Sequence, residues 1–101
     1  MPTSQFTQIN QIISSAVALQ PKSVLDIGVG FGKYGVLLRE YLEFWREGSN
    51  YSRWDYRIDA IEAHEQYITP LHRFIYNNVY IGDASKILPT IECSYDLVLL
   101  I

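Results

Sequence analysis

The chain has 101 residues, 49% of them hydrophobic and 19% charged, with a formal net charge of −3. That length holds one small domain with a real core, so residues 1–101 read as a single domain and disorder is excluded. The acidic balance gives no reason to expect non-specific nucleic-acid binding, and a lone Cys93 with His64 and His72 offers neither an internal disulfide nor a metal-ligand cluster.

The first residues, Met1-Pro2-Thr3-Ser4-Gln5, lack the basic start of a signal peptide, and no apolar run is long enough to span a membrane. A cytoplasmic domain is the expectation, and the single cysteine fits a reducing compartment. Phe6, Ile9, Ile12, Ile13, Ala16 and Val17 recur at helical spacing, which predicts an amphipathic helix over about 5–19 that Pro21 ends. Residues 1–21 therefore form an N-terminal helix that covers one face of a sheet, and 22–101 form the α/β core.

The run Val24-Leu25-Asp26-Ile27-Gly28-Val29-Gly30-Phe31-Gly32-Lys33-Tyr34-Gly35 is a short apolar strand, an acidic residue, glycines at alternate positions and a helix start. Such a loop brings backbone close to a nucleotide-like ligand, because glycine turns sharply and places no Cβ between its N–H groups and the ligand. A dinucleotide fingerprint wants G-x-G-x-x-G, but Lys33 stands where its third glycine belongs. Tyr34, Leu37, Leu38, Tyr41, Leu42 and Trp45 then mark the stripe of a helix packed on the sheet. Its positive end faces the loop. Lys33 reads either as a contact to a ligand carboxylate or as a solvated helix-start lysine.

The stretch 46–56 is a polar loop carrying Tyr51, Trp54 and Tyr56. Rings packed over the end of the long helix are the first expectation for it and a subunit contact the second. Arg57-Ile58-Asp59-Ala60-Ile61-Glu62 is a second strand ending in a carboxylate, which at the tip beside the glycine loop can accept both hydroxyls of a ribose. After a loop, Thr69 and Pro70 open a helix whose expected inner face is Leu71, Phe74 and Ile75. Tyr67 and Ile68 stand before it. His64 and His72 read as surface or capping residues rather than catalysts. Asn78 to Ile81 is a third strand followed by Gly82-Asp83-Ala84, where Asp83 is a good N-cap for the segment that follows. Tyr95 to Ile101 is a continuous apolar run, the mark of a strand buried on both faces of a parallel sheet.

The D-x-G-x-G-x-G pattern of Asp26, Gly28, Gly30 and Gly32, with Glu62 and Asp83 at the next two strand tips, resembles the class I S-adenosylmethionine-dependent methyltransferases over residues 22–101. The resemblance implies a Rossmann-like doubly wound parallel sheet of strand order 3-2-1-4, partial here, with an N-terminal helix. It implies S-adenosyl-L-methionine as cofactor. The glycine loop passes under the methionine part, and Asp26 orients the loop or contacts the cofactor's amino group. Glu62 holds the ribose. Asp83 accepts from the adenine amine, with Ala84 among the apolar groups beside the ring, and Tyr67 and Ile68 stand near the adenosine.

The resemblance also implies that the chain is the cofactor-binding half of a larger enzyme, with the acceptor region beyond residue 101. Strand 95–101 would then lie at an open edge, covered by that region or by a second copy of the chain. The acceptor is not indicated and no catalytic residue is assigned. Two other readings stay open: an NAD(P)- or other nucleotide-binding α/β domain, and a non-catalytic interaction protein that keeps the fold.

Overall fold

The computed structural model describes residues 6–50 and 53–100. Tyr51, Ile101 and the Phe6 side chain lie outside the described residues. Helix α1 (Phe6–Leu19) leads through Gln20, in the left-handed region at φ 49°, into Pro21. The Gln20 N–H bonds back to the carbonyls of Ala16 and Val17, so the helix closes where proline forbids its continuation.

Strands β1 (Ser23–Ile27), β2 (Arg57–Glu62), β3 (Asn78–Ile81) and β4 (Leu97–Leu100) form one parallel sheet in the order β3-β2-β1-β4. The expected strand order is borne out. Strand register places Asp26, Ala60, Val79 and Leu99 in one row on one face, and Leu25, Asp59, Asn78 and Val98 on the other. The first face carries the main core: Ile13 and Ala16 of α1, Leu38 and Leu42 from the chain after β1, and Ile75 and Tyr76 pack there against Val24, Ile58, Ala60 and Leu99. The other face is covered more thinly, by α4 (Ala84–Ile87) and the segment before β4. On that side the Tyr95 hydroxyl donates to the buried Asp59 carboxylate at 2.6 Å and Asn78 donates to it at 3.1 Å.

Three expectations about burial are corrected. The helix after the glycine loop, α2 (Lys33–Leu38), continues as a π-helical turn over Arg39–Phe44. The wider turn carries Arg39 and Glu43 into the interior and rotates Tyr41 and Trp45 out, Trp45 to 73% exposure. In α3 (Pro70–Ile75), Leu71 and Phe74 are half exposed, and the buried positions are His72, Ile75 and the following Tyr76. The apolar strand β4 is likewise not buried on both faces. Leu99 is covered by the core, but Leu100 is 78% exposed, because β4 pairs only with β1 and its second face carries no helix among the described residues.

The buried Arg39–Glu43 pair anchors the loop that precedes β2. Arg39 donates to Glu43 at 3.2 Å, to the carbonyls of Ile75 and Tyr56 at 2.8 Å, and to Asn77 at 2.8 Å. Glu43 accepts in turn from Arg46 and from the backbone N–H groups of Asp55 and Tyr56. Trp54 lies between Phe44 and Phe74, and the Arg39 guanidinium sits 4.3 Å from its ring centroid. Rings packed over the helix end were the first expectation for this loop, and Trp54 meets it. All of this lies at the end of the sheet opposite the glycine loop, since the loop follows β1 and this cluster precedes β2 in parallel strands.

Candidate functional site

The three leading strand tips are stitched together by main-chain bonds. Gly28 N–H donates to the Ile61 carbonyl at 2.8 Å, and Gly82 N–H donates to the Glu62 carbonyl at 2.9 Å. These bonds extend the sheet ladder one step past each strand and bring the Gly28–Gly32 loop, Glu62 and the Gly82–Asp83 corner side by side.

Gly28, Gly30 and Gly32 have φ of 74°, 56° and 91°. All three thus need the left-handed region that other residues enter at a cost. A turn closes from Gly32 N–H to the Val29 carbonyl at 2.9 Å, with Gly30 at its first central position. The expectation that these N–H groups face a ligand is corrected, because each is engaged within the protein. Gly28 serves differently: a Cβ built on it meets nothing within 4 Å, so its bare Cα borders open space.

Glu62 is 2% exposed and held from two sides. Its Oε1 accepts from Gly30 N–H at 2.9 Å and its Oε2 from His64 N–H at 3.0 Å. Two backbone donors from different loops fix the carboxylate plane, and each oxygen keeps a second lone pair. Glu62 and the glycine loop are therefore in direct contact.

Asp26 is 4% exposed and lies beneath the loop, on the face that packs against α3. Its Oδ2 accepts from the Tyr76 hydroxyl at 2.7 Å. Burial pushes the Asp26 carboxyl up to about 7; the Tyr76 bond opposes this shift and the nearby Glu62 charge adds to it. Burial and the same Asp26 neighbour raise the Tyr76 phenol as well.

Asp83 is exposed and caps α4, its Oδ1 accepting from Ser85 N–H at 2.9 Å and Ser85 Oγ at 2.8 Å. The Ser85 bonds hold its carboxyl below the usual range. Ala84 is the half-buried first residue of the same helix. The Asp83 side chain bonds within its own turn and is not joined to Glu62 or to the glycine loop, although Gly82 is its chain neighbour. Tyr67 sits at the rim, its ring centroid 6.2 Å from exposed Phe31 and 5.3 Å from His64. Ile68 instead packs against the core.

Sequence reasoning left three residues out of the site. His72 is 1% exposed, accepts from Thr69 N–H on Nδ1 at 3.0 Å, and reaches the Gly30 carbonyl with Nε2 at 2.7 Å. The first bond meets the capping role read for His72 from the sequence, since it stands three residues after the N-cap Thr69, where a capping box usually holds Glu or Gln. Its burial and its bond to Gly30 are what the sequence did not show. Tyr76 and Gly35 form a close pair, since a Cβ on Gly35 would lie 2.4 Å from the Tyr76 ring. Nothing local marks a contact across so long a stretch of chain.

No protein-family model and no curated protein matches the chain. Solved structures do. TomG, an O-methyltransferase of Streptomyces achromogenes involved in tomaymycin synthesis and crystallised with SAM, superposes with a TM-score of 0.69 at 19% identity. A Klebsiella pneumoniae protein of proposed O-methyltransferase activity superposes with a TM-score of 0.71 at 17% identity. The matches cover 95% and 98% of this chain but 44% of each of those chains, so it spans less than half their length. The fold is the Rossmann-like fold of class I methyltransferases.

Proposed function

We propose that this chain is the S-adenosyl-L-methionine-binding portion of a methyltransferase. The observation that carries the reading is the bond from Gly30 N–H to Glu62 Oε1, which joins the glycine loop to a preoriented carboxylate at the neighbouring strand tip. Two features fit the cofactor. The open space at Gly28 admits a ligand against bare backbone, and the remaining lone pairs of Glu62 suit a vicinal diol. The fold shared with SAM-bound TomG supports the same assignment.

In this reading Gly28, Gly30 and Gly32 give the methionine part its close approach, and Asp26 keeps the loop in place from below. Glu62 takes the ribose hydroxyls. Asp83 offers Oδ2 to the adenine amine while Oδ1 keeps its cap, and Ala84 borders the ring with Tyr67 on the rim. The cofactor, when bound, supplies a methyl group on a sulfonium that is already an activated leaving group. The chain's own part is orientation and exclusion of water. No acceptor and no general base are assigned.

The lone exposed Cys93 is in keeping with a cytoplasmic setting. No helix among the described residues is long and apolar enough to cross a membrane. A second copy of the chain is the partner proposed for the open β4 edge, and sedimentation of a monomer at high concentration would remove that part of the reading.

Calorimetry on the purified chain tests the function. S-adenosylhomocysteine is expected to bind while NAD gives no heat. Binding of NAD in its place would favour the dinucleotide reading, and silence from both would favour a non-catalytic protein that keeps the fold.

A further inference from the structure

Gly30 has both of its main-chain polar groups held by buried side chains from other elements. Its N–H goes to Glu62 on β2 and its carbonyl to His72 on α3, at 2.9 and 2.7 Å. The carbonyl can only accept, so His72 Nε2 carries the proton. Nδ1 accepts from Thr69 N–H and therefore carries none. One neutral tautomer satisfies both ends, and the capping bond of α3 selects it. The ring is also boxed in sterically: a Cβ on Gly32 would already touch it at 3.5 Å, and Tyr76 stacks beside it with centroids 6.3 Å apart.

From this arrangement we infer that His72 is a positioning residue for the cofactor site, pinning the peptide after Gly30 and so the backbone at its Cα, whose preceding peptide carries the N–H that sets the direction in which the Glu62 carboxylate faces a ribose. The ligand half of this inference rests on the function proposed above. The Gly30 N–H and carbonyl belong to the two peptides on either side of its Cα. Without the His72 bond the second peptide is free to turn about ψ, and glycine's permissive backbone at φ 56° then lets the Cα and the first peptide shift with it, which weakens the donor to Glu62 Oε1. The carboxylate then relies chiefly on the His64 N–H and loses its defined plane. Sites held loosely by their supporting groups lose affinity out of proportion to the contact removed. His72 thereby links the start of α3 to the loop after β1, two segments that the sheet alone leaves unconnected.

The wild-type chain gives the first test. Nitrogen shifts of His72 are expected to show the Nε2-protonated neutral ring, with its proton slow to exchange; the Nδ1-protonated form would overturn the inference. Amide exchange gives the second. In His72→Leu the Gly30 amide is expected to exchange about tenfold faster or more while Leu25 in β1 changes little, a local opening rather than global unfolding. His72→Gln is expected to restore protection, because its amide offers an acceptor and a donor side by side and Gln suits the capping box. Equal protection of Gly30 in wild type and His72→Leu, or failure of Gln to restore it, would overturn the inference.

The third test is S-adenosylhomocysteine affinity. A loss of about tenfold in His72→Leu, recovered in His72→Gln and largely absent in a Glu62→Gln background, is the expected non-additive pattern. A wild-type chain that binds no S-adenosylhomocysteine overturns the proposed function and the ligand half of the inference together. Undiminished binding by His72→Leu overturns the inference alone.

Discussion

The Tyr76 hydroxyl donates to the buried Asp26 carboxylate at 2.7 Å, joining the residue that ends α3 to the residue that opens the glycine loop. This contact lies beneath the proposed cofactor site, and it makes stability depend on pH. Asp26 ionises near 7 in the fold against 3.8 as the ordinary value, so the folded chain holds this proton more tightly than the unfolded chain does. Its contribution is greatest below about pH 4 and is lost as pH rises through about 7, a change of about 4 kcal/mol at most. Asp26→Asn keeps an acceptor for Tyr76 and cannot ionise. Its stability relative to wild type should therefore improve between pH 4.5 and pH 8, by roughly 2–4 kcal/mol in urea titrations. A constant difference across that range would show that Asp26 is not the titrating group.

Gly35 is a packing glycine, whereas Gly28 borders open space. A Cβ at Gly35 would lie 2.4 Å from the Tyr76 ring, and that ring is held in place by its bond to Asp26. Gly35→Ala should cost about 3 kcal/mol by overpacking, and Gly35→Ala with Tyr76→Leu should recover part of it. Gly28→Ala meets no atom and should cost only about 1–2 kcal/mol for its positive φ. Calorimetry should nevertheless find its S-adenosylhomocysteine binding weakened by about tenfold or more, since the new methyl enters the ligand's space. Thermal melts and calorimetry on the two variants separate these roles.

Arg39 holds the far end of the molecule together. Burial lowers its guanidinium to about 10, while Glu43 beside it opposes that shift and keeps it charged at neutral pH. Arg39→Met takes one cation from the fully buried Glu43 carboxylate, which keeps Arg46 and two backbone donors, and leaves the Ile75, Tyr56 and Asn77 acceptors without their donor. It should destabilise the chain by about 3 kcal/mol in urea unfolding. Arg39→Lys should rescue little, because one ammonium cannot reach the Ile75, Tyr56, Asn77 and Glu43 acceptors together. Cofactor affinity measured far below the midpoint should not change in Arg39→Lys, since the pair lies at the opposite end of the sheet.

Asp83 combines a visible cap with a proposed contact to adenine, and the two can be separated chemically. Asn is as good a cap as Asp, so Asp83→Asn should leave α4 intact, and its side-chain carbonyl can still face an amine. Asp83→Ala loses the cap and the acceptor. Wild type should prefer S-adenosylhomocysteine to the inosine analogue, which lacks the exocyclic amine, and Asp83→Ala should lose that preference. A preference unchanged in Asp83→Ala would leave Asp83 as a helix cap alone.

The legibility of the chain was uneven for physical reasons. β2 and β3 were readable because short apolar runs bounded by Gly, Asp or Glu are local signals, and α3 because Thr69-Pro70 is a local start signal. The long helix was readable as a helix but not in its inward face. A single α-helical period assigned Tyr41 and Trp45 to the core, and the π-turn gave those places to Arg39 and Glu43. A buried charged pair is hidden from hydrophobic periodicity, since its stability depends on partners such as Asn77, Tyr56 and Ile75 that no local window contains.

The same division runs through the candidate site. Order along the chain was enough to set strand succession, the left-handed glycines and the carboxylates at successive strand tips, because parallel βα units place each strand's end on one side of the sheet. Folding in three dimensions decided what those groups touch. It turned the Gly30 amide back to Glu62, placed His72 on its carbonyl and buried Asp26 against Tyr76, while the Asp83 cap is the local one its sequence position announced. The first three set the site. These are pairings between residues distant in the chain, and their partners are chosen by how helices pack on a sheet rather than by any spacing along it.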